Sequence, residues 1–194
     1  MDLDDLLASR LRALRQAQGL TLEQLAARSG VSRSMVSLIE RQETSPTAAV
    51  LHKLAQALGQ SLSELFREPE DRADPSPLAR RAEQPLWQDP ASGYRRRQLS
   101  PPAATAALSL VEVEFPAGQT VAFDPTPGAA PGQQQLWLLA GRLQVTVDGQ
   151  PWPLQAGDCL AMPTGRATVF HNPGRQTARY LLALAEVPPS PRRP

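Results

Sequence analysis

The sequence predicts a multidomain α + β chain, a five-helix bundle followed by an all-β barrel or sandwich, and three observations carry that prediction. Apolar residues recur at helical spacing from 3 to 66, they recur at a spacing of two beyond 105, and the stretch between them is broken by prolines. The domains expected are 1–67, helical; 68–104, a Pro/Arg-rich linker, its second part open to order; 105–187, a β domain; and 188–194, a disordered tail of Arg192 and Arg193 among prolines.

The helices follow from Leu3, Leu7, Leu11 and Leu14, then Leu22, Leu25 and Ala26, then Val36 and Ile39, then Leu51, Leu54 and Leu58, and last Leu62, Leu65 and Phe66. Capping chemistry marks their ends. Thr21 stands three residues before Gln24, Ser32 follows the apolar Val31, and Gly19, Gly30 and Gly59 close segments. In the β half, Val111, Val113 and Phe115 alternate with Leu110, Glu112 and Glu114, and Leu143, Val145 and Val147 alternate with Gln144, Thr146 and Asp148. Turns are expected at 116–118, Asp148-Gly149, Ala156-Gly157 and 172–174.

Charge and composition exclude several classes. The 194 residues carry 20 basic and 19 acidic side chains, so DNA contact requires local placement rather than a cationic coat. One cysteine closes no internal disulfide, the acidic start at Asp2, Asp4 and Asp5 is unlike a secretory leader, and no stretch approaches the ~20 apolar residues of a membrane span. A cytoplasmic protein with no membrane partner is the expectation.

On a helical wheel, Val36, Ile39, Glu40 and Ser32 turn toward the other helices, leaving Ser34, Leu38 and Arg41 outward, flanked by Arg33 and Ser37. Small hydroxyls, arginines and one leucine suit a DNA groove: Arg bonds guanine through two donors, Ser reaches phosphate or base, and Leu meets a thymine methyl. A bundle helix with an ordinary Ser-rich surface is the competing reading.

The segments 20–26, 30–34, 36–41, 45–47 and 54–59 resemble the five-helix helix-turn-helix (HTH) of the phage-repressor and Xre family, over about residues 6–66. The resemblance implies that Thr21 to Ser29 is the first helix of the motif and Ser32 to Arg41 the recognition helix. Ser32, Arg33, Ser34 and Leu38 would then read bases, with Thr21, Leu22, Ser37 and Thr44 near phosphates. Arg28 and Arg41 complete the DNA-binding set as part of a local positive face. An Arg15–Glu40 pair is implied as structural. Gln42 departs from the family's glycine, straining a left-handed turn by roughly 1 kcal/mol or less. Because residues 1–66 hold seven basic and seven acidic groups, one unit should bind DNA weakly. A homodimer reading half-sites ~34 Å apart is therefore expected.

Residues 128–141, 157–165 and 168–172 are similar to the two motifs of the cupin barrel, a jelly roll that binds a metal through three histidines and a glutamate. Gly157, Pro163, Gly165 and Asn172 stand at motif intervals. The glutamate position holds Gln134, the paired histidines fall around Gly128 and Ala130, and Thr168 replaces the last histidine. Gln and Thr oxygens do not replace imidazole or carboxylate donors, and His171 points to the other face of its strand. No metal, no other cofactor and no enzyme activity are expected. Gln134, Leu136, Thr168 and Phe170 form the candidate ligand-binding set, the amide and hydroxyl holding the polar end of a small organic effector. A closed core in which these groups bond one another is weighed equally. Cys159 is expected to be buried and Trp137 and Trp152 to pack between sheets, with a dimer contact as a second option for Trp137.

Together these resemblances imply a bacterial HTH transcriptional regulator of the Xre family with a C-terminal cupin domain sensing a small molecule. A constitutive repressor whose barrel only dimerises, and a metal-independent cupin enzyme, are the alternatives.

Overall fold

The computed structural model describes residues 3–60, 62–66, 76–101, 108–125 and 132–186. The expected tail, 188–194, and the Gly128 and Ala130 positions lie outside them. Four helices of eight residues or more come first: α1 (Leu3–Ala17), α2 (Leu22–Ser29), α3 (Arg33–Glu40) and α4 (Ala48–Ala57). The expectation of five helices is corrected to these four, the fifth segment being one turn, α5 (Leu62–Leu65). Four residues close too few internal bonds to make an independent helix.

The caps foreseen in the sequence are formed. Thr21 Oγ1 accepts from Gln24 N at 3.1 Å while Thr21 N donates to Gln24 Oε1 at 2.8 Å, a complete capping box. Gly30, at φ 68°, closes α2 in the left-handed conformation and donates its N–H to Ala26 O at 2.9 Å. The chain turns there into Ser32, whose Oγ accepts from Met35 N and starts α3.

Among the described residues ten strands follow: β1 (Leu86–Gln88), β2 (Arg95–Gln98), β3 (Leu108–Phe115), β4 (Thr120–Phe123), β5 (Gly132–Ala140), β6 (Arg142–Val147), β7 (Gln150–Gln155), β8 (Cys159–Pro163), β9 (Thr168–His171) and β10 (Ala178–Glu186). They make a six-stranded sheet, β1-β2-β3-β10-β5-β8, and a four-stranded sheet, β4-β9-β6-β7. The closed barrel is therefore corrected to two open sheets packed as a sandwich, with Phe170 of one stacked parallel to Tyr180 of the other at 6.1 Å. The second part of the stretch expected as linker, which the sequence left open to order, forms two strands. Its alternation of buried and exposed side chains is short, yet β1 and β2 pair with each other and then with β3.

The β1–β2 segment joins the halves. Asp89, buried at its turn, accepts from Ala48 N at 2.9 Å and so caps α4 from outside the helical domain, while its other oxygen holds Ser92 N. Phe66 packs on Trp87, Trp87 on Tyr94 and Tyr94 on Phe115 at centroid distances of 5.6–5.8 Å. The buried Arg96 guanidinium lies 5.4 Å from the Phe66 ring. Through these rings the apolar core of the bundle continues into that of the sandwich.

Candidate DNA interface and sandwich interior

The orientation of α3 against α1 is set by a half-buried ion pair. Arg15 of α1 meets Glu40 at the end of α3 in two parallel bonds of 2.7 Å, and its third donor reaches Leu20 O at 2.8 Å. That bond to the carboxylate raises the Arg15 pKa above the ordinary arginine value. With Val36 and Ile39 buried on the same side, the opposite side of α3 is turned away from the core. Ser32, Arg33, Ser34 and Arg41 are exposed, and Ser37 and Leu38 are half-buried. Leu38 is not among the apolar residues packed against the core.

The remaining sequence-derived DNA residues divide by local role. Thr21 and Arg28 are exposed, Thr44 is half-buried, and Leu22 is partly buried against the core. Thr21 and Ser32 already cap helices, so their hydroxyls can offer a ligand only remaining capacity. Gln42 sits at φ 64° just beyond α3, the left-handed turn expected from its place in the motif. Two features escaped the sequence reading. Met35 is 36% exposed on α3 beside Ser34. Arg33 Nε lies 2.5 Å from Glu23 Oε1 of α2, with both side chains more than 60% exposed. Glu23 is held below the usual carboxylate range, chiefly by a backbone hydrogen bond and also by Arg33. Such an exposed pair contributes little to folding, so Arg33 is available to a competing anion or base.

The candidate ligand residues share the interior of the sandwich. Leu136 and Thr168 are buried, Phe170 is buried between Phe123 and Tyr180, and Gln134 is half-buried toward the start of β5. Thr168 Oγ1 donates to Arg166 O at 3.0 Å, so its donor is used locally. His171 turns from Thr168 to the opposite side, where Nδ1 lies 2.9 Å from Thr120 Oγ1. The motif asparagine, Asn172, is fully buried: Nδ2 donates to Phe115 O and Gln176 O, and Oδ1 accepts from Gly174 N, each at 2.9 Å. It ties the end of β3 to the turn before β10.

Two packing expectations are corrected. Cys159 is exposed, and Trp137 and Trp152 are 50% and 46% exposed rather than packed between sheets. The β5 alternation explains Trp137, because Leu136 and Leu138 take both inward positions around it. Among the described residues no group of His, Cys, Asp and Glu side chains is placed to hold a metal.

A helix capped into a tight turn, followed by a second helix with an open polar face, and then a two-sheet jelly roll define an HTH regulator fused to a cupin domain. The helix-turn-helix family matches residues 11–65 and the cupin domain family residues 111–184, and the chain belongs to the Xre-type HTH transcriptional regulators that carry a cupin domain. It is 29% identical over 174 residues to the Escherichia coli HTH-type transcriptional regulator PuuR, covering 90% of this chain and 91% of that one. Over 65 residues it is 46% identical to the HTH-type transcriptional regulator y4dJ of Sinorhizobium fredii, covering 34% of this chain and 84% of that one. Among solved structures, an HTH_3 family transcriptional regulator from Vibrio cholerae superposes with a TM-score of 0.73 at 25% identity, covering 95% and 97% of the two chains.

Proposed function

We propose that the protein is a homodimeric, sequence-specific DNA-binding regulator in which α3 enters the major groove and the cupin domain sets the spacing of two such helices. The observation that carries this reading is the division of α3: Val36, Ile39 and Glu40 are fixed inward, while Arg33, Ser34, Ser37 and Leu38 stand on the open side. Arg28 and Arg41 add charge beside the helix, and Thr21, Leu22 and Thr44 flank it toward the backbone phosphates. A mobility-shift titration with genomic operator fragments tests it. Arg33→Ala should lose about 1–3 kcal/mol of specific affinity and relax preference at one base pair. Unchanged affinity and specificity would reject α3 as the reading helix.

Regulation by a small organic effector in the sandwich, without a metal and without catalysis, completes the proposal. Gln134 would hold the polar end of the effector at the half-buried start of β5, with Leu136, Thr168 and Phe170 around its apolar part. The effector acts only to the extent that it binds the DNA-competent and incompetent arrangements unequally. One observation favours the constitutive alternative, in which the β domain merely dimerises. Leu136 and Leu138 are fully buried, Phe170 is stacked on Tyr180, and the Thr168 hydroxyl is bonded within its own loop. Thermal-shift screening of metabolite pools separates the two. A compound that stabilises the protein and alters operator binding supports sensing, and a pool in which nothing does so supports the constitutive repressor.

A further inference from the structure

The outer face of the six-stranded sheet carries apolar side chains across β10, β5 and β8, with Glu112 of β3 at one end of the Trp137 row and Gln135 within the Leu110 row. Leu181 pairs with Trp137, and Trp137 with Cys159; Leu110 pairs with Ala183, which leads through Gln135 to Ala161. The alternate residues, Val111, Leu136, Leu138, Tyr180 and Leu182, fill the interior, so these side chains share the opposite side. Leu108, Leu110 and Trp137 are 48%, 38% and 50% exposed, among the few large apolar side chains of the described residues that meet water. We infer that this face is the surface through which two copies of the chain pair, with Trp137 near the twofold axis.

The inference rests on the dimer reading above and adds the surface to it. The occupant this face fits is a second copy of the chain. Four strands ~4.8 Å apart and about 20 Å long present a flat footprint of roughly 400 Å². That area, which includes Gln133, Gln135 and Glu112 among its apolar side chains, is about half the ~800 Å² per partner of a standard interface, so the surrounding polar side chains would supply a rim. That rim carries both signs side by side: Arg95 Nη1 lies 2.9 Å from Glu114 Oε2, and Arg81, Arg97 and Arg179 lie within 3.7–3.9 Å of Glu112. A patch with adjacent charges of both signs is self-complementary when turned about a dyad. Between these charges and the β8 edge the face holds Leu110, Leu181 and Trp137, and no ionised group stands in the row from Leu110 through Ala183 and Gln135 to Ala161.

The test is the mass of the full chain by light scattering after gel filtration, for the wild type, Trp137→Glu, Leu110→Glu and the control Trp152→Glu on the other sheet. Cys159, the single cysteine, supplies a second reading through its alkylation rate. The expected result is a two-chain mass for the wild type and Trp152→Glu, a one-chain mass for Trp137→Glu and Leu110→Glu, and wild-type alkylation that accelerates several-fold on dilution. A two-chain mass in both of those substituted proteins, or alkylation independent of concentration, overturns this face and leaves dimerisation standing. A one-chain wild type that still binds its operator overturns the dimer reading itself. Should Trp137→Glu fail to fold, Leu110→Glu and the wild-type alkylation decide the matter.

Discussion

The open side of α3 and the inner face of the sandwich use side chains in opposite ways. On α3, the side chains that face outward bond to exposed neighbours: Arg33 pairs with Glu23, Arg41 with Glu43, and Ser34 Oγ lies 3.1 Å from Ser32 Oγ. In the sandwich, Phe123, Phe170 and Tyr180 follow one another within about 6 Å, and burial drives the Tyr180 hydroxyl pKa well above that of free tyrosine. The Tyr94 hydroxyl is likewise pushed up to about 12 by burial. The contrast teaches that the first surface can be changed at little cost to folding, whereas the second cannot be opened without loss of stability. An effector must therefore supply binding energy to displace part of that packing, and a DNA site need not.

The largest effect that sharpens this contrast is Phe170→Ala. It removes a ring packed against Phe123 and Tyr180 and should cost ~3–5 kcal/mol, read as a lower midpoint in thermal or urea unfolding. Arg33→Ala should leave that midpoint within about 0.5 kcal/mol of wild type while changing operator binding. Equal midpoints for wild type and Phe170→Ala would mean that the sandwich interior is not the closed core described.

A smaller effect concerns Glu23. Its carboxylate holds Arg33 and would stand against approaching phosphates, so Glu23→Gln should release the guanidinium and tighten operator binding several-fold at low salt. The gain should shrink as salt rises, which a mobility-shift series at increasing ionic strength would show. Weaker binding in Glu23→Gln would instead make the Arg33–Glu23 pair a device that positions Arg33 for its base.

Much of the helical half was legible because its signals are local. Thr21 with Gln24, Gly30, and the wheel placing Glu40 inward all depend on residues within a few positions of one another. The four ordered helices and the one-turn α5 differ from the expected five because short-range periodicity does not register how few bonds a four-residue segment can close. The β half was legible in its alternation and in its Asp148-Gly149 turn, where both residues have positive φ. Which sheet each strand joins was not, because pairings such as β3 with β10 link residues some seventy positions apart. The place of the β1–β2 segment, whose order the sequence left open, was hidden for the same reason: Asp89 acquires its role only when Ala48 is brought to it. At the candidate site, the sequence placed the outward residues of α3 but not the Arg33–Glu23 pair, which depends on the angle between α2 and α3.

At the end of α3, Gln42→Gly should raise stability by up to about 1 kcal/mol. The residue is exposed and at φ 64°, a conformation that glycine adopts without the clash of a Cβ. A urea midpoint that falls on this substitution would show that the Gln42 side chain contributes more than its backbone costs.

The smallest effect lies where the two regions meet. His52 of α4 packs edge-on to Phe123 at 5.1 Å, and its Nε2 lies 3.1 Å from Asp124 O; Gln56 reaches the same carbonyl, and Lys53 Nζ lies 3.2 Å from Asp124 Oδ2. Burial, the largest cause, lowers the His52 pKa below its ordinary 6.5, and Lys53 acts in the same direction, while Asp124 opposes both. The folded protein thus holds this ring neutral more firmly than the unfolded chain does. Its contribution is complete above pH 6.5 and is lost as pH falls from there through the depressed folded value, because protonation then favours the unfolded state. His52→Gln should flatten this part of the stability profile, measured as urea midpoints from pH 7.5 down to about 5. A profile unchanged by the substitution would place the acid sensitivity elsewhere and leave the α4–β4 contact a purely packed joint, insensitive to the charge of its histidine.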